Sequence, residues 1–260
     1  MRLGDHTTLT FDCYGTLIDW EQGILAALQP LLQRVDPRPS RQDVLALFAR
    51  HESAQQARTP GMRYPDVLAA VHRELARHYG VSLPEPEAEH RRFGASVPDW
   101  PAFPDSAEAL RYLKRHYRLV ILSNVDRASF AASNRRLDVT FDAIYTAEDI
   151  GSYKPDPRNF HHMLDRLAAE GTPADAILHT AQSLFHDHAP AKTLGLATAW
   201  IDRQGLAREG LAGEGLAGPE GNWGATMPQP GAGYDVRFTS MAEMAAAHRA
   251  EQGGGASTRA

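Results

Sequence analysis

Near the N-terminus the run Thr7-Thr8-Leu9-Thr10-Phe11, apolar and β-branched, ends abruptly in Asp12-Cys13-Tyr14-Gly15-Thr16-Leu17. A strand that stops at an acid and a Gly turn puts a carboxylate at the carboxyl edge of a sheet, where open α/β sheets bind their ligands. Four further runs of this kind follow, Leu119–Leu122, Phe141–Tyr145, Ala176–Thr180 and Ala197–Ile201. Near-continuous apolar strands alternating with helical periodicity predict a parallel sheet covered on both faces. Asp12, Ser123-Asn124, Gln182-Ser183 and Asp202 each follow one of the runs, so one edge collects the polar groups. The expected fold is α/β, with a doubly wound, Rossmann-like parallel sheet as its core.

About a hundred residues separate the first two runs, far more than one crossover helix needs. Gly23–Val35, Arg41–Gln56 and Tyr64–Tyr79 carry helical apolar spacing and are separated by Pro37, Pro39 and Pro60-Gly61. Pro84, Pro86, Pro98, Pro101 and Pro104 mark the return. Residues 20–100 therefore read as a helical cap domain inserted into a core made of 1–19 and 101–250. Three Gly-Leu-Ala units between Gly205 and Ala217 open a Gly/Pro-rich stretch, 205–233, that reads as a flexible insertion. Tyr234–Phe238 is expected as an edge strand, Ser240–Glu251 as a helix, and 251–260 as a disordered tail.

Bulk properties narrow the class. A net charge of −5 on 260 residues argues against a general nucleic-acid or membrane-surface binder. No apolar run approaches the ~20 residues of a membrane span, and the first residues lack the apolar stretch of a signal peptide. The single cysteine, Cys13, cannot form an internal disulfide. That combination fits a cytoplasmic protein.

Four motifs occur in order: Asp12-Cys13-Tyr14-Gly15-Thr16-Leu17, Leu122-Ser123-Asn124, Lys154-Pro155 and Gln182-Ser183-Leu184-Phe185-His186-Asp187. Together they resemble the haloacid dehalogenase-like superfamily, and the first is similar to that of its 2-haloacid dehalogenase branch. The resemblance covers nearly the whole chain. It implies that Asp12 is a nucleophile forming a covalent ester, and that Ser123 binds the substrate carboxylate with backbone N–H groups near Cys13 and Tyr14. Asn124 is expected to help hold the leaving group. Lys154, on a loop past the third strand, is expected to keep Asp12 ionised against Asp187, which activates the water that cleaves the ester. Gln182, Ser183 and Trp20 are further expected pocket residues. In the family an Arg from the first cap helices faces the halide. Arg50 and Arg63 are the candidates here, with His51, Gln55 and Tyr64 beside them.

Departures from the family pattern shape the expected chemistry. Phosphatases of the superfamily place a second Asp where Tyr14 stands and an acid where Gln182 stands. Without these a Mg²⁺ ion has few carboxylate oxygens to bind, so no metal or other cofactor is expected. Well-characterised 2-haloacid dehalogenases carry Asn where Leu184 stands and Tyr where Phe160 stands, so water and substrate must be organised differently. His186-Asp187-His188 does not read as a metal cluster, since adjacent residues point different ways and only Asp187 is expected inward. His161-His162 is expected on the surface, and Cys13 faces the core. The expected activity is hydrolysis of a short 2-haloalkanoic acid to a 2-hydroxy acid. The alternatives are a Mg²⁺-dependent phosphatase, a hydrolase of another small carboxylate such as fluoroacetate or azetidine-2-carboxylate, and a non-catalytic protein of the same fold. The expected partner is a small carboxylate, with no nucleic acid and no membrane, and a homodimer is left open.

Overall fold

In the computed structural model six strands form one all-parallel sheet in the order β3-β2-β1-β4-β5-β6. They are β1 (Thr8–Phe11), β2 (Arg118–Ser123), β3 (Ala143–Thr146), β4 (Ile177–Ala181), β5 (Ala197–Ile201) and β6 (Val236–Phe238). The structure describes residues 1–205 and 233–254. The Gly-Leu-Ala units beyond Gly205, most of the 205–233 stretch and residues 255–260 lie outside the described residues. β1 sits between β2 and β4, with Phe11 level with Ile121 and Thr180. The chain winds outward from β1 through β2 and β3, then returns to β4 on the other side. The point of reversal, at the carboxyl ends of β1 and β4, is where such sheets form a crevice.

Alternation along β2 explains why both faces are covered. Leu119 and Ile121 join one apolar cluster with Leu9, Phe11 and Leu178, while Val120 and Leu122 join the other with Phe160, Met163 and Leu167. Successive strand side chains point to opposite faces, so two apolar neighbours in sequence demand two packed layers. Helix α8 (Arg158–Ala169) supplies Phe160, Met163 and Leu167 to the second layer. On the first face lie α5 (Ser106–Leu113) and α10 (Met241–Gly254), which pack together. Helix α10 therefore continues through residues 251–254, which were expected to begin a disordered tail. Between the strands, α6 (Arg127–Leu137) follows β2, α7 (Ala147–Ile150) follows β3 and α9 (Ala189–Thr193) precedes β5.

The cap holds four helices, one more than the sequence spacing predicts: α1 (Trp20–Leu32), α2 (Arg41–Arg58), α3 (Tyr64–His78) and α4 (Pro86–Gly94). Pro86, read as a breaker, instead opens α4, because a first-turn residue needs no N–H partner. Helices α1 and α2 are each capped from the side chain before them, Asp19 accepting from Gln22 N–H and Ser40 from Asp43 N–H. Gly23 lets α1 lie against Trp100, since a Cβ there would come within 2.3 Å of the indole. The two crossings into the cap run side by side: Asp19 N–H donates to Pro101 O at 2.8 Å and Phe103 N–H to Leu17 O at 3.0 Å. Cap and core also meet through Tyr153 Oη–H, which donates to Met62 O at 2.6 Å.

Candidate active site

β1 delivers Asp12 to the crevice, and the chain then turns sharply through Gly15, whose φ of 94° lies in the left-handed region that favours glycine. The turn brings Thr16 back onto the acid, its hydroxyl donating to Asp12 Oδ2 at 3.0 Å. Lys154 enters from the loop after α7, and its ammonium donates to Asp12 Oδ1 at 2.9 Å, Asp187 Oδ1 at 2.6 Å and Leu122 O at 2.9 Å. A one-turn helix therefore separates Lys154 from β3. Its side chain lies in the interior rather than on an edge loop, since the residue is only 2% exposed. Asn124 holds this lysine in place. Its amide donates to Lys154 O at 3.0 Å and accepts from Lys154 N–H at 2.7 Å. Asn124 was expected to help hold the leaving group; it borders the cavity, and its bonds to the lysine backbone use one of its two amide N–H groups.

After β4 the chain makes a π-helical turn, Leu184–His188, with Ser183 Oγ accepting from His186 N–H at 3.0 Å. Such turns often mark functional sites because the extra residue per turn redirects side chains. Here His186 and Asp187 both border the site, while His188 is buried against Ala181 O at 3.0 Å. The expectation that only Asp187 faces inward fails for this reason. Asp187 Oδ1 also accepts from His179 Nε2 at 3.0 Å, and Thr10 Oγ–H donates to His179 Nδ1 at 2.8 Å. These partners leave Asp187 Oδ2 buried with no hydrogen-bond partner among the described residues. His179 rests edge-on against Phe160, with ring centroids 5.1 Å apart. The acid thus receives a ring N–H from β4, beside the position where the family places a tyrosine hydroxyl.

The charges are strongly coupled. Burial raises the pKa of Asp12, and Asp187 pushes it the same way against the pull of Lys154. For Asp187 burial is outweighed by Lys154 and His179, which hold it well below the usual carboxylate range. For Lys154 burial opposes the charge, but the two carboxylates overcome it and keep the ammonium above its ordinary pKa. His186 is pushed down to about 4 by burial, so it is neutral at neutral pH.

These groups border a cavity of about 50 Å³ lined by Asp12, Tyr14, Trp20, Glu52, Gln56, Tyr64, Asn124, Lys154, Ser183, His186 and Asp187. A neighbouring cavity of about 380 Å³ shares Gln56, Lys154 and His186 with it and extends between cap and core. Ser123 closes β2, fully buried, with its hydroxyl lacking a partner among the described residues. Among the described residues the N–H groups of Cys13 and Tyr14 likewise meet no acceptor. Buried polar groups of this kind fit a bound polar ligand. The Cys13 side chain itself faces the core, where burial raises its thiol pKa well above the ordinary value.

Three expected site residues are placed elsewhere. Gln182 points away from the cavity, its N–H donating to Thr16 Oγ1 at 2.9 Å and its side chain to Gln204. Arg50 is exposed, because it lies two residues from Glu52 on α2, about 200° around the helix. Arg63 is also exposed and pairs with Asp126 and Glu148, each at 3.5 Å. The face of α2 that carries Phe48 turns Glu52 and Gln56 to the site, each one helical turn further on. His179, Glu52, Gln56 and His186 are thus the lining or positioning residues that sequence reasoning missed. An acid on a cap helix gave no signal, because cap helices are rich in solvated charge.

Comparison with known proteins gives the family. The family model for haloacid dehalogenase-like hydrolases matches residues 6–178. The chain is 28% identical over 203 residues to (S)-2-haloacid dehalogenase 4A of Burkholderia cepacia, covering 75% of this chain and 82% of that protein. It is 27% identical over 204 residues to an (S)-2-haloacid dehalogenase of Pseudomonas putida, covering 75% and 84%. The fold is similar to that of L-2-haloacid dehalogenase from Xanthobacter autotrophicus, with a TM-score of 0.73 at 19% identity over 94% of this chain and 98% of that one. With an acid at the end of β1, a lysine bridging two buried carboxylates and a family match over most of its length, the chain belongs to the haloacid dehalogenase-like hydrolases.

Proposed function

We propose that the protein hydrolyses a short 2-haloalkanoic acid to a 2-hydroxy acid through an ester on Asp12. The observation that carries this reading is the position of Lys154 Nζ, 2.9 Å from Asp12 and 2.6 Å from Asp187, in a site where Tyr14 rather than an acid stands two residues after the nucleophile. The lysine keeps Asp12 ionised and aims it, with Thr16 fixing the second oxygen. The substrate carboxylate binds the Ser123 hydroxyl and the N–H groups of Cys13 and Tyr14. Asp12 attacks C2 in line, the C2–halogen bond breaks, and the electron pair leaves with the halide. Placement of this kind is a large part of what a weak carboxylate nucleophile needs.

Asp187 then acts through Oδ2, the oxygen its partners leave over. It takes a proton from water as the water attacks the Asp12 carboxyl carbon and returns it to the substrate-side oxygen of Asp12, which departs as the hydroxyl of the 2-hydroxy acid, while the second water proton is lost to solvent. Water thereby restores the Asp12 carboxylate. His179 holds Asp187 in place from β4.

A divalent cation fits the donor set poorly. The Lys154 ammonium already stands between the two carboxylates, Tyr14 replaces the second acid, and Gln182 is turned away. Among the described residues no cluster of three His, Cys, Asp or Glu side chains is placed to hold a metal. No step of the proposed reaction needs one. The proposed reaction is tested by halide release from (S)-2-chloropropionate with and without EDTA, beside p-nitrophenyl phosphate. Chloride release that EDTA leaves unchanged and that Asp12→Asn abolishes supports it. EDTA-sensitive phosphate release as the main activity would replace it with a phosphatase.

A further inference from the structure

The cap offers no cation to a leaving halide. What it offers instead is Glu52, on the cap side of the cavity that Asp12 borders from the core. Tyr64 Oη–H donates to Glu52 Oε1 at 2.7 Å, and Tyr64 in turn stacks on Tyr14, with ring centroids 6.4 Å apart. The carboxyl is thus tied to the residue two positions from the nucleophile. Glu52 has no ion-pair partner among the described residues. One turn further along α2, the Gln56 amide borders the same cavity.

Resting on the covalent reading above, we infer that Glu52 is the hydrogen-bond donor to the leaving group of this site, and that the halide it is built to release is fluoride. With Tyr64 donating to Oε1, the proton of a neutral Glu52 belongs on Oε2, free to point at the leaving atom. Burial pushes Glu52 up to about 7 despite the hydrogen bond from Tyr64, so much of it carries that proton at neutral pH. A compact leaving atom of high charge density gains most from such a donor, whereas chloride and bromide are weaker hydrogen-bond acceptors and better leaving groups unaided.

The step balances. Asp12 forms the C2–O bond, the C2–F bond breaks with its electron pair going to fluorine, and Glu52 Oε2–H donates a hydrogen bond to the departing fluoride. Fluoride leaves as the anion to bulk water, and Glu52 keeps its proton. Burial and the hydrogen bond from Tyr64 on α3 set this proton, and the titratable groups around it are Tyr14 and Asp12 from the turn after β1, Tyr153 and Lys154 from the loop before α8, and His186 and Asp187 from the π-helical turn. His51 and Arg50 lie beside it on α2.

The test assays fluoroacetate and chloroacetate in parallel on the wild type, Glu52→Met and Tyr64→Phe, reading fluoride and chloride release across pH. The wild type should turn over fluoroacetate, with activity falling as pH rises through about 7 while chloroacetate turnover does not. Glu52→Met should lower the fluoride-to-chloride ratio of kcat/KM at least about 30-fold, on the scale of losing a donor aimed at developing charge, and remove that pH limb. Tyr64→Phe deletes the hydrogen bond that favours the charged carboxylate, so the limb should move to higher pH. This shift is read on a second protein should Glu52→Met fail to fold. A ratio unchanged by Glu52→Met, or a wild type that releases chloride but no fluoride, overturns the role of Glu52 and leaves the covalent reading standing. Release of neither halide by the wild type overturns both.

Discussion

Replacing Lys154 by Met keeps the length and bulk of the side chain but removes the charge that Asp12 and Asp187 share. Two like charges about 5 Å apart repel by ~3 kcal/mol at an effective dielectric near 20. That equals about two pKa units, and burial of both groups adds to it. One carboxylate must then take up a proton near neutral pH, and Asp12 is the one already raised. Turnover of the best haloacid should fall at least ~10²-fold, the scale of losing a charged catalytic group. Because Lys154 is buried, the variant also leaves an uncompensated charge in the interior, a cost of about 3–5 kcal/mol in stability. The pH dependence separates this from simple damage. In the wild type the depressed pKa of Asp187 contributes stability above the unfolded carboxylate pKa of about 3.9, and this is lost as pH falls below it. In Lys154→Met the raised carboxylate makes folding weaker as pH climbs from about 4 towards neutrality. Thermal melts from pH 4 to 8, with kcat at each pH, read both effects. Near-wild-type turnover with a melting temperature that ignores pH over this range would refute the reasoning.

Other outcomes follow from the same geometry. His179→Leu removes a hydrogen bond to Asp187, so ester hydrolysis should slow ~10–10²-fold and the Asp12 alkyl ester accumulate in intact-mass spectra; a steady-state ester level equal to wild type argues against this role. Arg50→Ala should keep turnover within about threefold, since the side chain is exposed and away from the cavity, and a much larger loss would put Arg50 back in the site. Gly15→Ala must force a Cβ into the left-handed region, 3.1 Å from Gln182 Oε1, and should cost about 1 kcal/mol or more by chemical denaturation. An unchanged denaturation midpoint would show that the turn relaxes freely.

The sheet was readable because its strands are buried on both faces, and a run such as Leu119–Leu122 has no other use for consecutive apolar residues. Asp12, Lys154 and Asp187 were readable because sharp strand ends and a family resemblance coincide there. What escaped depends on helix phase and on packing across distant segments. Whether Arg50 or Glu52 faces the site turns on a two-residue offset in α2, within the uncertainty of aligning a cap helix from sequence. The inward turn of His186 depends on a π-helical geometry that periodicity does not encode. Gln182 appeared beside Ser183 in one motif, yet successive residues diverge, and only Ser183 reaches the cavity. His179 looked like one more residue of an apolar strand, and only its bond to Asp187 across the turn gives it a role.

The most direct measurement of the account follows oxygen through one turnover. Enzyme in excess over a haloacid in H₂¹⁸O should incorporate one ¹⁸O into the peptide bearing Asp12, while the 2-hydroxy acid of the first turnover carries ordinary oxygen. Product labelled from the first turnover, with the Asp12 peptide unlabelled, would mean that water attacks the substrate directly and that Asp12 forms no ester.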